Sequence, residues 1–448
     1  MSDAADNRGH APRAASRTAC RSGGVFYGWF IIAAAALGIC FAQAGVVNFG
    51  FSSFLRPLQV EFGFGRGAIS LAFTAAMLAY TVSIPFVGGL IDRYGVRRVL
   101  LVATAVFGVL VCSMYFLAGP IWHLYAMYAL LGMVGSATSM VSYSRLAVSW
   151  FDKRKGLALA LAVTGAGVAA VIVPPLVEWI IRVSTWRLAY LSLGAINLLV
   201  CLPLLYGIVR NSPEEKQTWP DGIAPSESNS RRASVISIQG YTFGKCVRSG
   251  RFWRMAAAFT LLAAAQLGPV AHLVPLLVDS TFTDSGAAAV ASSLGVALIF
   301  SRLVCGYLLD RFFAPRVAAV FLIAPVLGFT ALALAPGYWT GVVATVSLGL
   351  ALGAEFDVMP FFCTQYFGRL AFGKVYGLVL SMFSLATGAS AFLTGVSYDV
   401  FSSYAVALSV GAAITVVAVM LILSLGPYPE LPECGWDPSL IAAPAPAR

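Results

Sequence analysis

The chain has 448 residues, of which 59% are hydrophobic and only 11% are charged. A soluble domain carries about 25% charged residues, and a soluble fold cannot bury this much apolar surface. The composition excludes a soluble enzyme, a disordered chain and a nucleic-acid-binding module, and basic loops beside anionic lipid account for the net charge of +10.

The eight cysteines lie at least 20 residues apart, without the spacings that are typical of redox motifs and zinc sites. We interpret them as small core residues. The sequence also contains no phosphate-binding loop and no nucleophile elbow. We therefore expect no enzymatic activity, no metal ion and no cofactor.

Long apolar stretches follow one another from residue 22 to residue 429, and a helix needs about 20 such residues to cross a bilayer. The two longest stretches are broken at Gly119-Pro120 and at Pro336-Gly337, so each holds two helices. The sequence thus predicts an all-α membrane protein with twelve spanning helices. The stretches without Asp, Glu, Lys or Arg are 22–55, 67–91, 99–144, 156–177, 188–209, 255–278, 285–301, 317–354, 375–398 and 400–429.

The basic residues are distributed very unevenly between the two sides of this bundle. Of the 29 Lys and Arg residues, 23 fall on the side that holds both termini and four fall on the other side. Cytoplasmic loops carry such an excess, which predicts that both termini are cytoplasmic. The predicted units are a disordered cytoplasmic tail (1–24), a six-helix bundle (25–209), a cytoplasmic linker (210–250), a second six-helix bundle (251–426) and a cytoplasmic C-terminal tail (427–448).

The second bundle repeats features of the first. Gly89-Leu90-Ile91-Asp92-Arg93 is similar to the segment 306–311, and Leu191-Ser192-Leu193-Gly194-Ala195 is similar to the segment 408–412. Both pairs are offset by nearly the same number of residues. The repeat indicates two six-helix halves of the same orientation, an arrangement in which substrates bind between the halves near the bilayer midplane.

The segment 88–98, Gly-Gly-Leu-Ile-Asp-Arg-Tyr-Gly-Val-Arg-Arg, resembles the loop between the second and third helices of the major facilitator superfamily. The degenerate copy at 306–311 lies where the second half of such a protein has its own. The resemblance implies the major facilitator fold, with two pseudo-symmetric six-helix bundles, and the function of a secondary transporter driven by an ion or substrate gradient.

Within that superfamily the chain resembles the monocarboxylate-porter branch and its bacterial relatives, which include oxalate–formate exchangers. The similar segments occur at helix ends and inside the eighth helix, so the resemblance covers residues 25–430. These segments are Tyr27-Gly28-Trp29, Trp150-Phe151-Asp152-Lys153-Arg154-Lys155, Trp186-Arg187, Ser212-Pro213-Glu214-Glu215, Phe252-Trp253, Ser301-Arg302 and Tyr366-Phe367-Gly368.

Three departures from that branch limit what the resemblance implies. Eukaryotic members carry a Lys in the outer half of the first helix, where this chain has the segment 45–48, Gly-Val-Val-Asn. They also carry an Asp one turn before the arginine of the eighth helix, and here that residue is Leu298. Oxalate exchangers place a Lys in the eleventh helix, and the stretch 375–398 has none. Mechanisms that use those residues do not carry over.

Arg302 is the clearest candidate for a substrate-binding residue. It lies eight residues before Asp310, which places it about 12 Å inside the end of the eighth helix. An arginine near the bilayer centre costs about 2.5–3.5 kcal/mol and needs a partner or a water-filled cavity. The planar guanidinium suits a substrate carboxylate. The alternative is a structural ion pair within the second half.

Glu355 and Asp357 are the acids of the tenth helix, which we expect to continue through both. Their side chains point about 200° apart, so they are not expected to face the same cavity. One of them is predicted to carry the proton that accompanies an anion. Burial favours the protonated form of a carboxyl group and a nearby cation favours the ionised form, so a site with both can exchange a proton when the anion arrives. The alternative is a structural pair with Arg302 or Arg145.

Three further residues are candidates for substrate contacts. The resemblance implies this role for His272, because bacterial relatives of the branch place a substrate-contacting histidine there, and histidine also titrates near neutral pH. Tyr143 and Asn48 offer hydrogen bonds from the first half. The alternatives are a hydrogen-bonded histidine at the membrane boundary and tyrosines at the lipid interface.

The repeated loop motif predicts gating contacts at the cytoplasmic side. Its acid and arginines can form ion pairs, and its glycine permits a tight turn. Such contacts would stabilise the outward-open state. The predicted gating residues are Asp92, Arg93, Gly95, Arg97, Asp310, Arg311 and Arg145.

The sequence-based hypothesis is a transporter that carries a small organic monoanion into the cell together with a proton. The expected partners are this anion, protons and the lipid bilayer, with no nucleic acid, and the expected state is a monomer in a bacterial inner membrane. Two alternatives remain open at this point. They are a proton-coupled exporter of hydrophobic compounds or drugs, and an organic-anion exchanger without a proton step.

Overall fold

A computed structural model describes residues 26–151, 155–216, 218–219, 221, 240–280, 282–309, 311–368 and 370–430. The described chain is almost entirely helical, and twelve of its helices are long and apolar enough to cross a membrane. This confirms the predicted fold class. The predicted N-terminal tail, about half of the linker and the last 18 residues of the C-terminal tail lie outside the described residues.

Helices are the form that a lone chain segment takes in lipid, because each satisfies its own backbone hydrogen bonds. The first six spans are α1 (Tyr27–Phe49), α2 (Arg66–Ile91), α3 (Val96–Phe116), α4 (Ile121–Ala147), α5 (Leu157–Val183) and α6 (Trp186–Ile208). The last six are α7 (Gly250–Ala271), α8 (Ser285–Leu309), α9 (Ala314–Leu334), α10 (Tyr338–Phe367), α11 (Phe372–Phe401) and α12 (Ala405–Leu423). As predicted, α8 and α10 continue through their charged residues.

Several spans depart from regular α-helix. The last turn of α1 is a π-helical segment, Ala44–Phe49, and a further helix, Phe51–Phe62, follows it. A π-helical turn, Asn197–Cys201, interrupts α6, and a 3₁₀ turn, Ser136–Thr138, interrupts α4. Such turns re-aim side chains and are frequent at functional sites. The turn in α1 carries Asn48, one of the predicted substrate contacts.

Helices α1–α6 and α7–α12 form the two halves, which meet where α2 packs on α11 and α5 packs on α8. Glycines bring the backbones together there, and a Cβ atom at Gly295 of α8 would lie 2.5 Å from the carbonyl oxygen of Gly167 in α5. In the other contact, the Thr74 hydroxyl donates to the carbonyl of Gly388 over 2.6 Å. Small residues and interhelical hydrogen bonds are the usual means of helix association in membranes.

The two ends of the bundle differ in how the halves meet. We call the end at which α1 begins and α12 ends the basic end, and the opposite end the far end. At the far end, the Asp399 carboxylate of α11 accepts hydrogen bonds from the backbone N–H groups of Arg66 (2.9 Å) and Gly67 (2.7 Å). An acid at this position accepts hydrogen bonds from otherwise unpaired N–H groups of the helix, and its negative charge is attracted to the positive end of the helix dipole.

The side chain of Arg66 crosses to the second half at the same place. Its guanidinium donates to Asp279 over 2.6 Å and to the Tyr404 hydroxyl over 2.7 Å, and it lies 3.6 Å from the ring centre of Tyr398. Arg66 is only 5% exposed, so these bonds are shielded from water. We call Arg66, Asp279, Tyr398, Asp399 and Tyr404 the far-end lock.

Replacement of Arg66 by glutamine is expected to open the far end. A charge-assisted hydrogen bond contributes about 1.5–3 kcal/mol, and 1.4 kcal/mol is a tenfold change in a ratio. The population in which the halves separate at the far end should therefore rise at least about tenfold. Spin labels at the exposed residues Val60 and Val400, in a background without native cysteines, would report this as a longer distance.

The matched control is Arg187→Gln. Arg187 forms an ion pair of 2.5 Å with Glu61 at the same end, but both residues belong to the first half. Its removal should leave the label distance unchanged. An unchanged distance in Arg66→Gln, or the same lengthening in both variants, would contradict a locking role for Arg66.

Candidate functional site

Two adjoining cavities lie between the halves. The inner cavity has a volume of about 450 Å³, and the outer cavity, of about 720 Å³, extends toward the basic end, where Val96 and Asn211 line it. The two share Ser144, Arg302, Phe356 and Tyr376 in their linings. The far-end lock closes the other end. In the part of the chain that the structure describes, the site therefore opens toward the basic end.

The inner cavity is mainly apolar, and aromatic rings form much of its wall. Such concave, apolar sites with a few polar groups are typical of small-molecule binding. Among the described residues that line it, Arg302 is the only charged one. The aromatic lining residues are Phe49, Phe73, Tyr80, Phe356, Tyr376 and Phe383.

Arg302 of α8 lies where the two cavities meet, and its partner is Asp357 of α10. The distance between Nη2 of Arg302 and Oδ1 of Asp357 is 3.7 Å, which is longer than a hydrogen bond. The Nε atom of Arg302 is buried and has no hydrogen-bond partner among the described residues. The arginine thus keeps unused donors beside the cavity, and its charge is only loosely balanced.

The close packing of α8 against α10 places these two side chains together. A Cβ atom at Gly349 would lie 2.3 Å from the carbonyl oxygen of Leu294, and one at Gly353 would lie 2.4 Å from that of Leu298. Only glycine allows such an approach of two helices. Asp357 lies one turn after Gly353 in α10, and Arg302 lies one turn after Leu298 in α8. The two side chains therefore reach the same level.

The first half contributes neutral polar groups to the inner cavity. Asn48, a predicted substrate contact, lines it, and Oδ1 of this residue has no partner among the described residues. The sequence analysis missed Gln43, Tyr80 and Tyr376, which also line the cavity. The amide of Gln43 inside an apolar stretch was a signal for a site, but nothing in the sequence separates these tyrosines from tyrosines at the lipid interface.

Tyr143 and His272 do not line either cavity. Tyr143 is 1% exposed, and its ring packs against Gly38. His272 is fully buried beside the far-end lock. Its Nε2 lies 2.9 Å from the Ser70 hydroxyl of α2 and 3.0 Å from the carbonyl oxygen of Ala391, and its Nδ1 lies 3.1 Å from the Tyr404 hydroxyl. Since a carbonyl only accepts, Nε2 carries a proton.

The two acids of α10 lie in different environments, as their spacing predicts. Asp357 lines the outer cavity, and its side chain is 32% exposed. Glu355 is fully buried and lines neither cavity. Arg145, a predicted gating residue, lines the outer cavity and is exposed. Of these three, Asp357 and Arg145 therefore have access to the opening at the basic end.

The repeated motif lies at the basic end, but its described contacts remain within the first half. The helix that contains α2 continues to Tyr94, and Gly95 ends it with a φ of +82°, which few other residue types adopt. The backbone N–H of Arg97 donates to Asn211, and its guanidinium donates to the carbonyl of Tyr206. These bonds join α3 to the end of α6.

The other arginines of the motif and its copy lie over neighbouring rings. The guanidinium carbon of Arg93 is 5.3 Å from the Tyr94 ring centre, and that of Arg311 is 4.4 Å from the Tyr307 ring centre. The Asp92 side chain and Asp310 lie outside the described residues. Because the basic end is open in this structure, the predicted gating role of the motif stays a prediction.

Named relatives of the chain are transporters. Monocarboxylate transporter 11 of Homo sapiens is 27% identical over 443 residues, which cover 91% of this chain and 84% of that protein. The oxalate:formate antiporter of Oxalobacter formigenes is 22% identical over 249 residues, which cover 55% of each chain. The chain is thus similar to transporters of the branch that the sequence motifs indicated, and it is not an enzyme.

A solved structure shares the fold. The bacterial homolog of the human lysosomal transporter Spinster, in an inward-facing and unoccupied conformation, superposes with a TM-score of 0.65 at 16% identity and covers 90% of this chain and 96% of its own. Residues 35–373 match the family Major Facilitator Superfamily. With twelve apolar helices and a cavity between two halves, this chain is a multi-pass membrane transporter that belongs to the major facilitator superfamily.

Proposed function

We propose that the protein carries a small organic monocarboxylate across the membrane together with a proton. The observation that supports this most directly is Arg302, the one charged side chain among the described residues of the inner cavity. A permanent cation with free donors in an apolar cavity is a binding site for an anion. The names of the relatives, monocarboxylate transporters and an oxalate:formate antiporter, agree with an organic anion.

The substrate carboxylate would bind Arg302 in place of Asp357. The two side chains are 3.7 Å apart and hence loosely paired, so little must be broken before an anion enters. The guanidinium offers two parallel N–H donors to a carboxylate, which a lysine does not. Binding of a monoanion would leave Asp357 without its cation.

The proton then restores neutrality. A carboxylate that loses its cation inside a protein is costly unless it takes up a proton. We propose that Asp357 does so when the anion arrives, since its exposure to the outer cavity gives it access to water. The loaded site then has the same net charge as the empty one, which allows the halves to move around it without carrying charge through lipid.

The walls of the cavity suit an anion with an apolar body. Rings such as Phe73 and Phe383 would contact the hydrocarbon part of the substrate, and Asn48 and Gln43 would bind a polar group at its other end. The free Oδ1 of Asn48 accepts hydrogen bonds, so a hydroxyl or N–H on the substrate would be favoured.

The direction of opening follows from the charge distribution. Positively charged loops stay in the cytoplasm, so we propose that the basic end is cytoplasmic and that both termini lie there. The structure would then be open to the cytoplasm and closed outside by the far-end lock. The bacterial relatives that the motifs indicated favour placement in a bacterial cytoplasmic membrane.

The apolar wall also supports the second candidate, a proton-coupled exporter of hydrophobic compounds. Such a transporter needs the cavity and a proton-binding acid, but it does not need Arg302. An organic-anion exchanger needs Arg302 but no proton step. The three functions therefore differ in which variants and gradients they depend on.

Uptake of labelled monocarboxylates into proteoliposomes, with and without an inward acid gradient, tests the proposal. The panel should run from lactate to aromatic acids. We expect accumulation of at least one acid only when the gradient is present. Equal accumulation without the gradient, driven by a preloaded anion, would favour exchange. Absence of uptake for every acid would favour the exporter.

Replacement of Arg302 by glutamine should raise the substrate concentration for half-maximal uptake by about tenfold to a hundredfold. The lost hydrogen bonds to a charged partner contribute about 1.5–3 kcal/mol, and 1.4 kcal/mol corresponds to a tenfold change in affinity. Arg302→Lys should recover only part of the loss, because lysine lacks the planar fork. Initial uptake rates over a range of concentrations provide the measurement.

Arg316→Gln is the matched control for this experiment, since it removes one positive charge from an exposed residue of α9, outside both cavities. We expect uptake in this variant to equal that of the wild type. Equal transport by Arg302→Gln and Arg316→Gln would rule out a substrate carboxylate at Arg302.

Replacement of Asp357 by asparagine should separate transport from the proton. Asparagine cannot take up a proton, so the acid gradient should no longer drive accumulation, while exchange of labelled for unlabelled substrate should continue. Substrate-dependent alkalinisation outside the vesicles should vanish in the same variant. Gradient-driven accumulation at the wild-type rate would show that the coupled proton binds elsewhere.

A further inference from the structure

Glu355 is a buried acid that the proposed mechanism does not use. It lies in α10 with no exposed surface, and it lines neither cavity. Neither of its carboxyl oxygens has a hydrogen-bond partner among the described residues. An ionised carboxylate without a partner is very unfavourable inside a protein, whereas an uncharged carboxyl needs only hydrogen bonds.

Gln266 of α7 is a second buried side chain without partners. It too has no exposed surface, and both its Oε1 and its Nε2 lack a hydrogen bond among the described residues. Buried amides are nearly always hydrogen-bonded, so an unpaired one needs an explanation. In both residues the whole polar group is unsatisfied.

The packing of α7 against α10 brings these residues to one level. Phe259 of α7 meets Phe362 of α10, with ring centres 6.1 Å apart. Gln266 lies seven residues after Phe259, and Glu355 lies seven residues before Phe362. Seven residues are nearly two full turns, and the two helices run in opposite directions. Both side chains therefore lie about two turns from the ring contact, toward the far end, on the facing sides of their helices.

In the first half, a glutamine of the corresponding helix approaches the corresponding partner helix, but it meets a glycine there. Gln43 lies in α1, the helix that corresponds to α7, and its Oε1 would be 2.1 Å from a Cβ atom placed on Gly135 of α4. In the first half, the amide of this helix thus reaches a glycine in the helix that corresponds to α10. In the second half, the facing helix carries an acid.

The two groups have complementary hydrogen-bonding chemistry only when the acid is protonated. A carboxylic acid donates its O–H to the amide oxygen and accepts an amide N–H at its carbonyl, which forms a ring of two hydrogen bonds. A carboxylate accepts from the amide N–H but repels the amide oxygen. A bond between the two would therefore favour the protonated form of Glu355 over the ionised form.

No described cation faces this position from the surrounding helices. Arg302 and its partner Asp357 are directed to the cavities. The other charged residues of α7, α9 and α11 lie near the ends of those helices, and α12 has none; the end residues are Arg251, Arg254, Arg316, Lys374 and Asp399. His272, at the end of α7, bonds to Ser70, Ala391 and Tyr404.

We propose that Glu355 and Gln266 form a buried proton-binding site inside the second half, separate from Arg302 and Asp357, and that Glu355 holds a proton while the basic end is open. The two groups are farther apart than a direct hydrogen bond in this structure. The proposed site therefore requires that a side-chain rotation or an ordered water connects them. The inference concerns the protonation of Glu355 and holds whatever substrate the cavity binds.

Infrared spectroscopy of the full-length protein in a detergent without ester or carboxyl groups, at mildly alkaline pH, tests this site. A protonated buried carboxyl has a carbonyl stretching band above the amide bands. We expect the wild type to show this band, Glu355→Gln to lose it and Asp357→Asn to keep it. Gln266→Met, which has nearly the same volume, should move the band to higher frequency because the carbonyl loses its hydrogen bond.

Glu355→Gln should also fold, since glutamine is a neutral isostere of the protonated acid. Its melting temperature in detergent should therefore stay close to that of the wild type. A wild-type spectrum without the band, or a band that survives Glu355→Gln, would overturn the proposal. So would a band whose frequency is the same in Gln266→Met. None of these readouts requires transport, so their failure is distinct from failure of the proposed function.

Discussion

The interior of a bilayer offers no water, so each polar group inside the bundle needs a partner in the protein or must remain neutral. This constraint explains the twelve helices, whose backbones satisfy themselves, and the far-end lock, in which Arg66 has two charge-assisted or polar partners and an aromatic ring. It also singles out exceptions. Arg302, Gln266 and Glu355 are among the described residues that retain unsatisfied atoms, and to these three we assign a ligand or a proton.

Glycine contacts decide where these exceptions can lie. Gly353 brings α10 against the backbone of α8 and thereby sets Asp357 beside Arg302. The same helix presents Glu355 to the opposite side, toward α7. One helix thus carries two acids with different environments, one open to water and the other enclosed. Their separation allows one to follow the substrate while the other stays protonated.

The halves meet in two kinds of contact. Along α2–α11 and α5–α8 they pack through small residues such as Gly167 and Gly295, whose surfaces are smooth and carry few directional bonds. At the far end they are joined by the charged groups of the far-end lock. Separation of the halves at the far end would have to break the second kind of contact. The polar bonds of the far-end lock therefore oppose such an opening.

The sequence by itself determined the number of spans, the two-half repeat and the family, because apolar length and a loop motif are local properties of the chain. It also indicated Arg302, since a lone arginine in an apolar helix needs a partner or a cavity. It did not determine that Asp357 is this partner, that His272 lies beside the far-end lock, or that Gln266 and Glu355 lie at one level of the second half. Those relations depend on how helices far apart in sequence rotate and pack against one another, which only the tertiary structure decided.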